Sequence, residues 1–311
     1  MSLDALVGDP RRWHPVAGFG AWAGFVERRT YADARRAGVG HLALCVAPVA
    51  ALGVGAERAV RGRAWATAAV TAAATWACVG ARTLACEGRA MASALDASRA
   101  TGDLGAARER LPHLCGRDPS GLDESELARA SMESLAENTA DAVLAPLLWG
   151  AVAGVPGLLV HRAVNTLDAM VGHRSARYAR FGTASARADD LMDYVPARAT
   201  GLLACAVAPL AGGSAGGAWR AMVRDHAAHP SPNGGWCEAA WAGALGVRLG
   251  GRNVYASRVE ERPLLCDGPR PGARDLRRAA ALVTAVSWAG TALVAAGLAG
   301  FRRTKIHLGE G

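Results

Sequence analysis

Five stretches of this chain carry no Asp, Glu, Lys or Arg: Val39–Ala56, Ala64–Ala81, Ala142–Val160, Gly201–Trp219 and Ala279–Phe301. Each is about 18 residues or longer, close to the length of helix that crosses ~30 Å of hydrocarbon. Strict alternation of apolar and polar positions is scarce, so the pattern predicts an almost all-helical protein. Ala and Gly dominate these stretches. That weakens each as a membrane signal but suits close packing of helix on helix. A soluble bundle with buried core helices competes with an integral membrane bundle. The way the charges are confined between the apolar runs favours the second.

The connecting segments supply the rest of the outline. Residues 1–38 form a polar, Arg-rich arm in which Gly8–Pro10 and Trp13–Val16 mark a turn-rich entry. The short charged link Glu57–Arg63 predicts a tight helical hairpin between the first two apolar runs. Arg82–Asp141 is amphipathic, with a turn at Asp118–Gly121 followed by a helix. On that helix Glu133, Glu137 and Asp141 fall at i, i+4 and i+8, on one face. Three like charges there are a solvated acidic face unless a cation, a metal or an arginine sits opposite. Pro146, Gly154, Pro156 and Gly157 interrupt the third apolar run, and Pro209 with Ala211–Gly217 interrupts the fourth. These two runs are expected to be re-entrant or buried rather than to cross fully, because broken helices at membrane depth persist only where they line a polar cavity. That arrangement would gather 82–278 on one face, the cytoplasmic one.

Polar residues crowd the edges of the third run. Asn138 and Asp141 precede it. Asn165 and Asp168 follow it at i, i+3, and Asp189, Asp190 and Asp193 come after Arg187 and before Arg198. Carboxylates and amides beside an apolar segment are costly unless paired. Oxygen clusters of this kind suit Mg²⁺, held by one or two carboxylates and by phosphate. Helix capping and ion pairing with Arg187 and Arg198 account equally well for any single one of these acids. Farther on, Pro230, Pro232, Gly234 and Gly235 make a rigid loop that presents His229, Ser231 and Asn233. Glu238 follows in the first turn of a helix, where the dipole favours an acid. Arg258, Arg262 and Pro263 lie in a polar stretch before the last apolar run.

Composition narrows the classes. Hydrophobic residues make up 51%, the net charge is +8 and the pI is about 9.6. Nearly all the basic charge is Arg, interleaved with acids rather than striped with aromatics, so nucleic acid is not the indicated partner. Anionic headgroups of a lipid bilayer, or anionic substrates, fit better. The seven cysteines are scattered, without a CxxC pair, and read as small buried hydrophobes. The N-terminus has no signal-peptide core. No P-loop, Rossmann glycine motif, HExxH or GxSxG occurs.

Four ordered blocks then resemble one family. GDPRRWHPV, ENTADAVLAPLLW, NTLDAMVGHRSARYARFGTASARADDLMDYVPAR and HPSPNGGWCEAAWAGALGVRLGG are similar to the GDP…HPV, ENTxDxxxAPL, NTLDSMVG…SARxDD…IPAR and HPSPNAGWPEAA elements of the CobD/CbiB family of cobalamin-biosynthesis membrane proteins. The match covers most of the chain as a single membrane domain, residues 1–311. Asp193 stands where the family commonly has Asn, and Cys237 where it commonly has Pro. The family's longer apolar helix ahead of GDP is reduced here to Met1–Val7, as if a helix were missing or the start misassigned.

The resemblance implies attachment of (R)-1-amino-2-propanol, or its O-phosphate, to the f-carboxylate of adenosylcobyric acid, giving adenosylcobinamide or its phosphate. Amide formation from a carboxylate needs activation, so ATP and Mg²⁺ are the implied cofactors and the corrinoid is the substrate. On this reading Glu137, Asn138, Asp141, Asn165, Asp168 and His229 are the catalytic candidates, supplying proton acceptors and oxyanion donors. Arg187, Arg198, Ser231, Asn233 and Glu238 are the candidates for substrate or phosphate binding. Asp168, Asp189 and Asp190 are the candidate Mg²⁺ ligands. The setting is the bacterial plasma membrane, with other late corrinoid-assembly enzymes as implied partners. Two rival readings are a non-enzymatic membrane sensor resembling AmpE and a corrinoid transporter or scaffold.

Overall fold

The computed structural model describes residues 1, 4, 14–255 and 258–308, with side chains as far as Gly300. The GDP element and Trp13 lie outside the described residues. The chain folds as two compact units: Met1–Gly80, Ala142–Met192 and Trp288–Gly311 form the first, Ala81–Asp141 and Asp193–Ser287 the second.

In the first unit, α1 (Pro15–Thr30) starts where His14 Nδ1 accepts the Val16 N–H at 3.1 Å, with Pro15 in the first turn, where its missing N–H costs nothing. The expected hairpin is present: α2 (Arg35–Val60) turns at Gly62, φ +80°, into α3 (Ala64–Cys78). Val39, Leu44, Leu52 and Trp65 are exposed on these helices, as lipid contact requires. Ala23, Val26, Cys45 and Leu167 are buried at the core of the unit, with Phe19, Leu42, Val46 and Met170 packed on them.

The third apolar run is broken. Within α7 (Ala145–Leu167), Ala153 and Gly154 leave helical geometry, with Gly154 at φ +66°, and Pro156 follows. The Val155 N–H freed by the break donates to Glu57 Oε1 at 2.7 Å. A carboxylate from α2 therefore caps the second half of α7, which is how an interrupted helix is satisfied among apolar neighbours. Gly53 lets α2 close on this point, since a Cβ there would lie 2.7 Å from Pro156 Cα. Short π-helical turns adjoin α7 at both ends, Ala140–Leu144 and Asp168–Gly172. Beyond the second comes α8 (Thr183–Met192).

In the second unit, α4 (Ala81–Thr101) and the short α5 (Gly105–Arg110) lead to α6 (Glu124–Thr139). Asp123 and Glu126 form a capping box at the start of α6. The fourth apolar run, 201–219, is not one helix. α9 (Tyr194–Val207) ends in a 3₁₀ turn at Ala208–Ala211, reverses at Gly212 (φ +66°) and returns as α10 (Ala215–Asp225). The arms come back to one place: Arg198 near the start of α9 and His226 just past α10 both pack on Trp236, 5.0 and 4.1 Å from its ring. The fourth apolar run is thus a helical hairpin with a glycine-rich tip rather than one continuous helix. α11 (Gly234–Leu245) packs on α10 through Gly217 and Gly243, each facing the other's carbonyl.

A two-stranded antiparallel hairpin follows, β1 (Leu249–Tyr255) with β2 (Arg258–Leu265), before α12 (Ala273–Leu308). The sequence showed only a polar stretch there. Its alternation is hidden because a bulge at Leu249/Gly251 shifts the register and because an inward position on β1 is polar, Asn253, 1% exposed. Among the described residues, five helical stretches are long and apolar enough to cross a membrane, counting the hairpin arm Tyr194–Ala211.

Candidate active site

Two layers of ionic side chains lie inside the second unit. The inner one centres on Glu133, which is fully buried. It accepts hydrogen bonds from Arg117, from Arg129 Nη1 at 3.1 Å and from the Gly250 N–H at 2.8 Å. Arg129 also reaches Asn253 Oδ1 and the Arg252 carbonyl, both at 2.7 Å. This layer ties α6 to β1. Of the alternatives the helical spacing left open, a solvated acidic face or an arginine opposite, Glu133 takes the second. It is a buried ion-pair partner. The regular helical spacing ends before Asp141, where a π turn begins at Ala140.

The outer layer contains the sequence candidates. Glu137 is half-buried on α6, and one ligand-type atom each from Glu137, His229 and Glu238 lies within 4.8 Å of the others. Gly234 makes room: a Cβ there would stand 2.6 Å from Glu137 Oε1 and 2.8 Å from His229 Cε1. The HPSPN loop fixes the imidazole. Ser231 N–H donates to His229 Nδ1 at 3.1 Å, and Ser231 Oγ accepts from the N–H groups of Asn233 and Gly234. With Nδ1 accepting, Nε2 carries the proton and points to Glu238 Oε1 at 3.3 Å. Arg262 Nη1 approaches the same oxygen at 3.4 Å, while Nη2 donates to Tyr255 Oη at 3.3 Å and Nε faces Glu260 at 3.5 Å.

The electrostatics follow from this packing. Burial alone would depress His229, but the hydrogen bond and charge of Glu238, then the charge of Glu137, raise it net above its ordinary value. Burial would raise Glu238, yet His229, Arg262 and Arg117 hold it net below the usual carboxylate value. Burial first, then Asp141, Glu137, Glu238 and Asp193, push the Cys237 thiol far up. Asp141 and Asp193 thus lie close enough to Cys237 for their charges to act on it.

Arg198 borders it. Its guanidinium lies 3.4 Å from the Tyr194 ring centroid and 5.0 Å from that of Trp236, and Nη1 reaches Asn233 Oδ1 at 3.4 Å. Asn138 is turned along its own helix, its Nδ2 donating to the Ser134 carbonyl and hydroxyl at 2.9 Å.

The remaining candidates fall in the first unit. Asn165 Nδ2 donates to Asp189 Oδ1 at 3.3 Å, and Arg162 Nη1 reaches Asn165 Oδ1 at 3.5 Å. Asp168 opens its π turn and folds its carboxylate over Gly172, which has no Cβ to obstruct it. Asp190 is half-buried and Arg187 exposed. Among the described residues, the group of His, Cys, Asp and Glu whose ligand atoms converge is Glu137–His229–Glu238 and not Asp168–Asp189–Asp190.

Sequence reasoning did not single out Arg262, Arg117 or Tyr255. Nor did it use a signal that was present: Asn-Thr-x-Asp-Ala occurs twice, at Asn138–Ala142 and Asn165–Ala169. Each copy enters a π turn, and in each the threonine hydroxyl donates to the carbonyl four residues back at 2.7 Å.

Fold and site together define a helical, multi-pass membrane protein with a Glu–His–Glu cluster in its second unit. The family model described as CobD/Cbib protein matches residues 1–283. A cobalamin biosynthesis protein CobD of Mycobacterium tuberculosis is 52% identical over 301 residues, 97% of this chain and 94% of that protein. The proteins of that name from Geobacter metallireducens and Chromobacterium violaceum are 45% and 41% identical, covering 93% and 94% of this chain and 88% and 92% of their own. The chain belongs to the CobD/CbiB family. No solved structure matches it.

Proposed function

We propose that this protein of cobalamin biosynthesis joins the f-carboxylate of adenosylcobyric acid to (R)-1-amino-2-propanol or its O-phosphate as an ATP-dependent carbon–nitrogen ligase on the cytoplasmic side. The observation that carries the reading is the convergence of the ENTxD and HPSPN blocks on one buried acid–base centre, Glu137–His229–Glu238. ATP with Mg²⁺ supplies activation of the substrate carboxylate. Asp168, Asp189 and Asp190 are oxygen donors of the type Mg²⁺ takes, and Asn165 meets Asp189, but their ligand atoms do not converge on one point among the described residues, so one or two of them, with phosphate oxygens, would hold it.

The chain's own residues do the rest. Glu137, the least enclosed member of the centre, accepts the proton of the incoming ammonium so that the amine attacks as a free base. Glu238 and His229 behind it fix its place, and Asp141 adds negative charge that favours the cationic amine. Arg198, stacked and anchored, takes a substrate carboxylate or phosphate in a planar fork. The C–N bond forms as the bond from the acyl carbon to the activating phosphate breaks; the amine's second proton leaves with the phosphate, and the first stays with Glu137 until it passes to solvent.

The test is mass spectrometry of corrinoids after incubating purified, detergent-solubilised protein with adenosylcobyric acid, ATP, Mg²⁺ and either amine. The adenosylcobinamide mass or that of its phosphate is expected, and is lost in Glu137→Gln and Asp141→Asn. Folded protein that makes neither product with either amine, and consumes no ATP, sinks the ligase reading in favour of a sensor or transporter.

A further inference from the structure

The Glu137–His229–Glu238 group has the composition of a divalent-cation site, yet two features of its geometry speak against an ion there. A metal on Nε2 needs a lone pair at that atom. With the Ser231 N–H donating to Nδ1 at 3.1 Å, Nε2 bears hydrogen; in the other tautomer, with Nδ1 donating to the Ser231 carbonyl at 3.4 Å, the Nε2 lone pair faces Arg262 Nη1 at 3.3 Å, so neither leaves it open to an ion. The second feature is Arg262. Its Nη1 stands 3.3 Å from His229 Nε2 and 3.4 Å from Glu238 Oε1, close to where a cation shared by those two atoms would sit.

We propose that Arg262 is the resident cation of this centre, occupying the place of a metal ion and positioning Glu238 and His229 so that the acid–base group works without one.

The surroundings of Arg262 are built for that role. Nη2 donates to Tyr255 Oη at 3.3 Å, and the Glu260 carboxylate of the same β-hairpin lies 3.5 Å from Nε as an ion pair without a hydrogen bond, so the fork is oriented before any substrate arrives. The guanidinium is only 14% exposed, and Glu238 is fully buried. A buried carboxylate left without its cation is strongly penalised, which is reason for the protein to supply one covalently. Glu238 Oε2 makes no hydrogen bond. Once Arg262 is gone, that oxygen and the imidazole, after a tautomer change, become free ligands. A guanidinium cannot be lost or exchanged as Mg²⁺ or Zn²⁺ can, and it cannot be deprotonated. Arg262 is thus a positioning residue, touching Glu238 and His229 rather than the reacting atoms. The inference rests on the acid–base reading of the centre, but its test counts ions without turnover, so either can fail alone.

The experiment is titration calorimetry of Zn²⁺ into the full, tag-free, detergent-solubilised chain. Wild type and Glu238→Gln should bind the same number of ions, because no ion uses Glu238. Arg262→Met should bind one more per chain than wild type, and Arg262→Met/Glu238→Gln should lose it again. Arg262→Lys, which keeps the charge, should gain none. Wild type binding one ion more than Glu238→Gln overturns the proposal and makes the triad a metal site. So does Arg262→Met that melts and elutes as folded protein but gains no ion. If Arg262→Met does not fold, the wild-type and Glu238→Gln comparison decides alone, equal counts supporting the proposal and unequal counts overturning it.

Discussion

His229 Nε2 lies 3.3 Å from Glu238 Oε1, and the two side chains are 2% and 0% exposed. A hydrogen-bonded imidazole–carboxylate pair sealed this completely is expensive to assemble and keeps its geometry once formed. Glu238→Gln preserves the shape but removes the charge that orients the imidazole. Turnover of corrinoid to its amide should fall by about 10²–10⁴-fold, read as product mass per unit time, with the helical circular-dichroism signal unchanged. A loss under threefold would place the chemistry elsewhere.

The same pair makes stability depend on pH, with opposite signs for its members. His229 is raised in the folded protein by Glu238 and Glu137 against the effect of burial, relative to its ordinary 6.5. Its contribution is fully present below 6.5 and fades as pH rises through the higher folded value. Glu238 is lowered by His229, Arg262 and Arg117 against burial, relative to its ordinary 4.5. Its contribution is present above 4.5 and fades as pH falls through the lower folded value. The melting-temperature difference between wild type and His229→Gln should therefore be largest in the mildly acidic range and shrink toward alkaline pH. A difference that grows toward alkaline pH contradicts the assignment. The Ser231 loop tolerates both states, since its N–H donates to Nδ1 of the neutral ring and its carbonyl, 3.4 Å away, accepts from the charged one.

Arg198 is held by aromatic stacking and by Asn233. Arg198→Lys keeps the charge and loses the planar fork. If Arg198 binds an anionic group of the substrate equally in ground and transition states, KM should rise about tenfold or more with kcat nearly constant, an effect of ~1.5–3 kcal/mol for a charged hydrogen bond. A fall in kcat at constant KM would assign Arg198 to the chemical step instead.

The sequence and the structure agree where one physical signal dominates. The hairpin of α2 and α3 followed from two uncharged runs and a short charged link. The breaks at Gly154 and Gly212 followed from glycine and proline placed where helices tolerate them least. The acid–base centre was legible as residues but not as geometry. Glu137, His229 and Glu238 all appeared as candidates, whereas Arg262 did not, because it sits on β2, whose hairpin partner β1 hides its alternation behind a bulge and the buried Asn253. Glu133 was left between two readings for a different reason. Helical spacing tells which residues share a face, not whether that face meets solvent or two arginines. The Asp168, Asp189 and Asn165 group was visible as oxygen chemistry, and Asn165 does meet Asp189, but spacing along a chain does not determine whether three carboxylates converge.

Glu133 provides a test of that buried layer. Both of its arginines are about 5% exposed and it is itself fully buried. Glu133→Gln leaves two guanidinium groups buried without a counter-charge, which should destabilise the second unit by about 3–5 kcal/mol. A thermal melt in detergent should show a drop of several degrees, with α6 losing protection in hydrogen exchange. An unchanged melt would mean that water reaches Arg117 and Arg129.

The broken helix α7 gives the last test. Gly154 holds φ +66°, and a Cβ there would collide with the Glu57 carboxylate that caps Val155. Gly154→Ala therefore meets two penalties, a backbone conformation (φ +66°, ψ −150°) that is essentially glycine-only and costs about 1–3 kcal/mol for a residue with a Cβ, and displacement of the cap. Glu57→Gln keeps a carbonyl that can accept the Val155 N–H and should be mild. Gly40→Ala, on α2 with open space around its Cβ position, should be neutral or slightly stabilising, because alanine favours helix by about 1 kcal/mol. Melting temperatures in the order Gly40→Ala, Glu57→Gln, Gly154→Ala, from highest to lowest, would establish the break as a built feature. Equal melting temperatures for the two glycine variants would mean that α7 can straighten at no cost.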